Sequence, residues 1–437
     1  MKKLKNITSR QFFGIGLSFI LLVTACSKEY MDPSRADNNT ALGTPQGLTA
    51  VAIGLQRVYT LGRTGVLFNS VTTNGFVTNE LKLLNAGNIP ELQLSTGGSA
   101  VDGTNTILAN LWTSSNKIVY DADLVLQNAD KLGDKKYAAG LIAYTSIFKA
   151  MAIGNMAQYW ENVPNGVGYN VPFMSRKDAF NKAIEVLDNA LKVIEANPIS
   201  SEFLGRIPKD INIINSLHAL KSRYALFSEN YKLAYDEAML VDLTKASSFG
   251  FDALSPNTLS AVVTSNNVFQ PQNDALGLTG SNMPDPSDKR IAFYTKYRGT
   301  STTPPTIRMK GFADTTVTPF PVYLPGEVIL TKAEVLARQN NIPDALKELN
   351  KVVTKLPESD PLYKLGAGLP ELTGNFTQQQ LLNLIYKHRC IELYASGLKI
   401  EDMRRFNQPT ADRKRNFFPY PFQERDNNTN TPPDPAF

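Results

Sequence analysis

The sequence predicts a mainly α-helical protein built from antiparallel helical hairpins, with two loop-rich stretches between them. Apolar residues recur every three or four positions in many segments, as they do on the buried face of a helix. Several of these segments are separated by only two or three polar residues, so consecutive helices must pack antiparallel. The two loop-rich stretches, about 64–105 and 244–325, are instead rich in Asn, Thr, Ser, Gly and Pro.

The clearest helix is expected from Ser175 to Ala196. Ser175 with Asp178 resembles a capping box at its start, and Asn197-Pro198 is a typical helix end. One face carries the apolar residues Ala179, Phe180, Ala183, Ile184, Leu187, Ala190, Leu191 and Ile194. The same periodicity predicts further helices at about 45–61, 106–131, 135–160, 211–229, 231–243, 326–340, 343–356, 377–396 and 398–407.

Two of the hairpins resemble each other when they are aligned at their turns. The residues Leu226, Asn230, Tyr231, Ala234 and Ala238 fall opposite Ala337, Asn341, Ile342, Ala345 and Leu349. Small residues at such points let two helices approach closely, as in tetratricopeptide-type hairpins. The two hairpins lie 111 residues apart, which is not a multiple of the roughly 34-residue tetratricopeptide period. We therefore expect an interrupted helical array.

The two loop-rich stretches are the candidate ligand-binding regions, because function is commonly carried by loops on a rigid frame. The stretch 244–325 is too long for a structureless loop and is expected to contain small strands and ordered loops. The residues able to supply hydrogen bonds or one stacking face are Asn85, Asn88, Asp102 and Asn105 in the first stretch and Phe269, Gln270 and Asn273 in the second. The alternative is that they are ordinary solvated loop residues.

The N-terminus has the pattern of a lipoprotein export signal. Basic residues precede an apolar run from Phe12 to Val23, which is shorter than the roughly 20 residues of a membrane-spanning helix. Val23-Thr24-Ala25-Cys26 then resembles a lipobox. We expect a signal peptide over 1–25, an acylated Cys26 that anchors the protein to a membrane, a flexible tether over 26–44 and one domain over 45–437. Ordinary secretory cleavage, with Cys26 as a free thiol, is the alternative.

Composition bears on several classes of function. The formal charge is +5, but removing the four basic residues of the predicted signal leaves 41 Lys and Arg against 40 Asp and Glu. Nothing in this balance indicates a nucleic acid partner. Cys390 is expected to be a buried small hydrophobic residue, and His218 and His388 are too isolated to indicate a zinc site. Gly97-Gly98 lacks the lysine of a phosphate-binding loop, and we expect no cofactor.

The C-terminal third carries an ordered pattern of motifs. They are Arg389-Cys390-Ile391-Glu392-Leu393, Ser396-Gly397-Leu398-Lys399, Asp402-Met403-Arg404-Arg405-Phe406, and Pro419-Tyr420-Pro421 with Glu424. This pattern resembles that of the SusD/RagB family of nutrient-binding outer-membrane lipoproteins. Further matches in the same order are Leu111-Trp112 with Tyr120, Tyr159-Trp160-Glu161-Asn162-Val163-Pro164, and Ala333-Glu334-Val335-Leu336-Ala337-Arg338. Ser396 stands where the family usually has Glu, and Lys399 where it has Arg.

The resemblance implies a SusD-like fold and a lipid-anchored protein on the outer face of the outer membrane. It implies a lid on a SusC-like TonB-dependent transporter, which helps to deliver oligosaccharides or other nutrients, and it implies no catalysis. Two other functions stay open. One is a helical scaffold that binds only proteins, and the other is a surface glycosidase, which needs two carboxylates facing a cleft.

Four residues have both a functional and a structural interpretation. Glu392 and Asp402 could be paired catalytic carboxylates. Their spacing allows local ion pairs, Arg389 with Glu392 and Asp402 with Arg405, and their place in the pattern of a noncatalytic family favours this structural role. Trp112 and Trp160 could stack on sugar rings. Both fall at positions that resemble packed helix and helix-end positions of the family, and this resemblance favours a place in the core.

Overall fold

The computed structural model describes residues 42–300 and 303–437. The predicted signal peptide, Cys26 and nearly all of the predicted tether lie outside these ranges. Residues Leu42–Phe437 form one compact unit. Its described part contains sixteen α-helices and four two-stranded antiparallel sheets.

The N-terminal half is dominated by long helices. They are α1 (Pro45–Thr60), α2 (Val66–Val77), α3 (Ile89–Thr96), α4 (Thr106–Ala129), α5 (Lys135–Tyr159), α6 (Arg176–Ala196) and the single turn α7 (Ser201–Leu204). Helix α5 lies at the centre and packs against α1, α4 and α6. By length and composition α5 alone among the helices of the described residues could span a membrane, but 94% of its apolar window is buried, as in a core helix.

The remaining helices form hairpins and shorter segments. They are α8 (Ile213–Phe227), α9 (Tyr231–Met239), α10 (Thr258–Ala261), α11 (Lys289–Tyr294), α12 (Pro325–Arg338), α13 (Ile342–Val353), α14 (Gln378–Glu392), α15 (Lys399–Arg405) and α16 (Phe422–Asn427). Each helix predicted from the sequence is present, and several end a few residues earlier than expected. The capping by Ser175 is also present, since its hydroxyl accepts a hydrogen bond from the Asp178 amide.

The α8–α9 and α12–α13 hairpins have the same turn. Glu229 and Asn340 both adopt a left-handed conformation, with φ of 65° and 61°. The next amide in each turn donates to a carbonyl five residues back, Asn230 to Ala225 at 2.8 Å and Asn341 to Leu336 at 2.9 Å. This pattern closes the end of a helix and reverses the chain. The alignment of the two hairpins made from the sequence therefore corresponds to a shared geometry.

A buried ion pair joins the two hairpins. The Arg223 guanidinium of α8 donates to both carboxylate oxygens of Glu327 in α12, at 2.6 and 2.7 Å. Both side chains are largely buried. A bidentate pair of this kind fixes the relative orientation of the two helices as well as neutralising both charges.

Short strands occupy the stretches between the helices. The pairs are β1 (Leu81–Leu83) with β5 (Phe269–Pro271), β2 (Asn162–Pro164) with β3 (Phe173–Ser175), β4 (Ser248–Phe249) with β8 (Phe320–Pro321), and β6 (Thr295–Thr300) with β7 (Thr303–Met309). The stretch 244–325 thus contains small strands and ordered loops. The stretch 64–105 differs from the expectation, because it contains the helices α2 and α3.

Candidate functional site

Three of the seven predicted ligand-binding residues have structural roles. Asn105 is 1% exposed, caps α4 through the amides of Ile107 and Leu108, and donates to the Pro90 carbonyl. Gln270 is buried and bridges the Val263 carbonyl and the Met309 amide. Phe269 is fully buried among other aromatic rings. The side-chain amides of Asn105 and Gln270 are hydrogen-bonded within the fold, and the Phe269 ring is packed in the core.

Three others lie in turns at the surface. Asn85 accepts a hydrogen bond from the Gly87 amide, and Asn88 precedes α3. Asp102 accepts a hydrogen bond from the Thr104 amide at 2.8 Å. None of these three residues lies in the polar cleft that Asn273 lines. They have the geometry of ordinary turn residues, which was the alternative interpretation.

The two loop-rich stretches meet in space through β1 and β5. Leu81 pairs with Pro271, Lys82 with Gln270 and Leu83 with Phe269. The two strands form a ribbon, which continues at one end, where the Gln272 amide donates to the Glu80 carbonyl at 2.9 Å. Segments nearly 200 residues apart in the chain therefore build one surface.

A polar cleft of about 350 Å³ opens at this end of the ribbon. Of the seven predicted residues, only Asn273 lines it. The lining residues are Thr78 and Asn79 from the first stretch, Gln272, Asn273, Gly277, Leu278, Thr279 and Asn282 from the second, and Tyr386, Lys399, Met403, Gln408, Ala411 and Asp412 from the C-terminal part. Three separate parts of the chain thus contribute to one site.

The wall of the cleft depends on a glycine and an asparagine. Gly277 has a φ of 76°, and a Cβ placed there would lie 1.8 Å from the Asn79 carbonyl oxygen. Only glycine fits this contact between two backbones. The Asn273 side-chain oxygen accepts hydrogen bonds from the amides of Ala275 and Gly277, at 3.1 and 2.8 Å. The Asn273 oxygen is thus occupied by the loop, and its side chain shapes the site.

Two ionisable residues beside the cleft, Lys399 and Glu80, are buried. Lys399 donates to the Thr78 carbonyl at 3.0 Å. Glu80 accepts a hydrogen bond from the Asn74 side-chain amide at 2.8 Å. Burial raises the pKa of Glu80 to about 7, against the opposing effect of Lys399. The lysine thus ties α15 to the chain before β1.

An exposed aromatic side chain stands beside the same loop. Tyr297 on β6 is 61% exposed, and its hydroxyl donates to Asp274 at 3.0 Å. This hydrogen bond raises the pKa of Tyr297. Asp274 follows Asn273, so the ring of Tyr297 is held next to the cleft-lining loop. The sequence did not single out Tyr297, because one tyrosine in a polar stretch carries no local pattern.

The carboxylates of the C-terminal motifs belong to buried ion pairs. Asp402 receives Arg389 at 2.9 Å and Arg405 at 2.5 Å. Glu392 pairs with Arg290 at 3.1 Å. The expected pair of Arg389 with Glu392 is wrong, because the Arg389 guanidinium reaches across to α15 instead. The pair of Asp402 with Arg405 is confirmed. Both carboxylates are fully enclosed and are not available as catalytic groups.

Trp112, Trp160 and Cys390 are buried. Trp112 and Trp160 lie 4.7 Å apart edge to face, and Trp160 donates to the Pro419 carbonyl at 3.1 Å. Trp112 donates to Glu424 at 3.0 Å, so the motifs around these residues meet in the core. The predicted core position of both tryptophans agrees with their burial. Burial raises the pKa of the Cys390 thiol to about 12, as for an unreactive core residue.

The described ranges contain no cluster of three or more His, Cys, Asp or Glu side chains in an arrangement able to hold a metal ion. His218 bonds instead to Glu237 at 2.7 Å. His388 lies against the Arg290 guanidinium at 2.8 Å, and burial together with this charge lowers its pKa.

Comparison with known proteins bears on the family and the fold. Residues 247–434 match the model of the SusD family. No curated protein matches the sequence. A SusD superfamily protein of Bacteroides vulgatus has a similar structure, with a TM-score of 0.68 at 12% identity, covering 91% of this chain and all of that one.

Two other solved structures are similar to the same extent. A SusD-like carbohydrate binding protein of Bacteroides vulgatus has a TM-score of 0.65 at 14% identity, covering 84% of each chain. NanU of Bacteroides fragilis has a TM-score of 0.65 at 13% identity, covering 93% of this chain and 99% of that one. The predicted fold class, helical hairpins with irregular insertions in a SusD-like arrangement, is confirmed.

Proposed function

From the premise that this chain is a SusD/RagB family protein, we propose that it binds oligosaccharides at the cell surface for uptake. The observation that carries this proposal is the polar cleft at the meeting point of the two loop-rich stretches. One similar structure is that of a carbohydrate binding protein, which supports the same ligand class.

The lining of the cleft suits a sugar. Gln272, Asn282 and Gln408 bring amides, which both donate and accept hydrogen bonds, and Thr279 brings a hydroxyl. Sugar hydroxyls need the same combination of donors and acceptors. Lys399 and Asp412 contribute one charge of each sign, which favours a ligand without a large net charge. The volume of about 350 Å³ lies within the range of small-molecule sites.

Tyr297 supplies the apolar part of such a site. Its ring is exposed next to the cleft-lining loop, and an aromatic face attracts the C–H face of a pyranose ring. Trp112 and Trp160 are both in the core, and the exposed ring of Tyr297 favours a contact with one sugar unit.

The proposal extends to the location and partner of the protein. We infer that acylation of Cys26 anchors it to the outer membrane, and that it acts with a SusC-like TonB-dependent transporter. The lipobox and the family relationship support both points. We infer further that the protein is not an enzyme, since the paired carboxylates of the C-terminal motifs are enclosed by arginines.

Calorimetric titration tests the ligand class. The probes are linear oligosaccharides of two to eight units prepared from cellulose, xylan, mannan and starch. At least one series should bind, and Gln272→Ala should weaken that binding about fivefold by removing one hydrogen-bonding side chain. Gln423→Ala on α16 is the control, because this glutamine is also exposed but lies outside the cleft. No heat with any probe would contradict the proposal and favour a scaffold that binds only proteins.

Two further measurements test the partner and the lack of catalysis. The anchored protein should co-purify with a TonB-dependent transporter encoded beside it, and failure to do so would contradict the proposed partnership. Incubation with the same oligosaccharides should leave their lengths unchanged. Shorter products formed by the wild type would instead identify a glycosidase.

A further inference from the structure

A second cleft lies beside the polar cleft. The two are separated by the 3-10 turn Gly280–Asn282, and Asn282 lines both. The second cleft has a volume of about 300 Å³. Its lining residues are Ser281, Asn282, Phe376, Gln380, Asn383, Leu384 and Lys387.

Helix α14 runs beneath both clefts. Gln380, Asn383 and Lys387 are spaced three and four residues apart, which places them on one face of the helix. Tyr386, next to Lys387, lines the polar cleft. With a rise of about 1.5 Å per residue, the row from Gln380 to Lys387 extends over about 10 Å. This length, which lies within the second cleft, exceeds one sugar ring. Because Tyr386 of the same helix lines the polar cleft and Asn282 lines both clefts, a ligand that follows the helix can extend from one cleft to the other.

The second cleft offers the same kinds of contact as the first. Phe376 is half-buried and exposes part of its ring, and Leu384 adds apolar surface. Asn383 is exposed, and its side-chain oxygen accepts a hydrogen bond from Gln379 at 2.9 Å. That hydrogen bond orients the Asn383 amide on the helix surface. An apolar face beside a positioned amide is an arrangement that binds a pyranose ring.

We propose that the two clefts form one continuous groove for a linear oligosaccharide of several units, with different units held in each cleft around Asn282. This inference rests on the proposed function and specifies its substrate as an extended chain. A monosaccharide or disaccharide would fill only one cleft. Affinity should therefore increase with the number of units until the ligand spans both.

Titration of the oligosaccharide series with two variants tests the groove. Gln272→Ala changes the polar cleft and Asn383→Ala the second cleft. A six-unit ligand should bind at least about tenfold more tightly than a two-unit ligand of the same series, because it makes several more hydrogen bonds. Each variant should weaken the six-unit ligand about fivefold, whereas the two-unit ligand should respond to only one of them.

Asn189→Ala on α6 is the matched control for Asn383→Ala, since both replace an exposed helical asparagine. It should leave every affinity unchanged. Equal affinity for two and six units, or a six-unit ligand that responds to only one variant, would overturn the continuous groove while leaving oligosaccharide binding intact. Absence of binding by every probe would overturn the proposed function and this inference with it.

Discussion

Asp402 is the residue on which the buried charges of the C-terminal motifs converge. It is 1% exposed and accepts hydrogen bonds from Arg389 and Arg405. Burial alone would raise the pKa of Asp402, but the two guanidiniums hold it below its ordinary value. Asp402→Ala should therefore cost about 3–5 kcal/mol in the free energy of unfolding, because both buried arginines then depend on Glu334 as their carboxylate.

Chemical denaturation of the wild type and the variant measures this cost. Asp121→Ala is the matched control, since Asp121 pairs with Lys117 at 2.7 Å on the exposed side of α4. Removing that exposed pair should cost less than about 1 kcal/mol. A similar cost for the two variants would show that the buried ion pairs of Asp402 stabilise the fold no more than an exposed pair does.

Glu80 should make stability depend on pH. Its pKa is raised by burial from 4.5 to about 7. As the pH rises from 4.5 to 7, the unfolded chain ionises while the folded protein keeps the proton, so the folded state loses stability relative to the unfolded state. The loss is on the order of 3 kcal/mol. Glu80→Gln removes it, and the variant should gain stability relative to the wild type over this pH range.

Thermal or chemical unfolding at pH 4.5 to 7.5 checks the effect of Glu80. Glu185→Gln, which removes an exposed carboxylate on α6, controls for the change in net charge. If the free energies of unfolding of the Glu80→Gln variant and the wild type differed by the same amount at every pH, the raised pKa of Glu80 would be contradicted.

The candidate residues show why composition alone could not locate the site. Asn85, Asn105 and Asn273 are all asparagines in polar stretches, yet one lies in a surface turn, one caps a helix and one shapes the cleft. Asparagine serves turns, caps and ligands through the same amide group. A single sequence does not reveal which of these roles each asparagine has.

Among the elements, α2 is the longest of the helices that periodicity missed. All twelve of its residues, Val66–Val77, are buried. A helix enclosed on every side has no apolar stripe, and its Asn, Thr and Gly residues made the segment resemble a loop. Internal hydrogen bonds pair several of these polar groups, as for the Asn69 amide nitrogen with the Gly65 carbonyl and Asn74 with Glu80. Amphipathic helices such as α6 and α13 could be predicted because each has a polar face.

Close packing of α5 against α8 depends on Gly154. A Cβ at this position would lie 2.2 Å from the Tyr224 ring, and that ring is itself packed against Phe180 and Phe227. Gly154→Ala should therefore lower the free energy of unfolding by about 1–3 kcal/mol, since a buried ring has no space into which to move.

Gly54 on α1 provides the comparison for Gly154. It is also helical, but a Cβ there meets nothing within 4 Å. Gly54→Ala should raise the free energy of unfolding by up to about 1 kcal/mol through the better helix propensity of alanine. Denaturation curves of the two variants should thus shift in opposite directions. A stabilising effect of Gly154→Ala would show that α5 and α8 can separate without cost.

At the scale of the whole molecule, the motifs predicted the frame better than the site. Glu334, Arg389, Asp402 and Arg405 join α12, α14 and α15 in one buried network, so these motifs belong to the frame. The cleft depends on contacts such as Lys399 with Thr78, between segments more than 300 residues apart. No spacing rule connects such segments, so the cleft became visible only in the folded chain.

Cys26 is predicted to hold this folded unit at the membrane. Cys26→Ala should abolish labelling by radioactive palmitate and move the protein from the membrane fraction to the soluble fraction. The oligosaccharide affinity should stay unchanged, because the cleft lies entirely within the compact unit Leu42–Phe437. Uptake of the bound oligosaccharide should fall, since the protein would no longer be held beside its transporter.

Cys390→Ala is the matched control, because Cys390 is buried in α14 and out of reach of an acyl transfer enzyme. That variant should keep both the label and the membrane attachment. Retention of the Cys26→Ala protein on the membrane would show that another part of the chain provides the anchor. Loss of oligosaccharide binding on release would instead show that the membrane or the transporter completes the binding site.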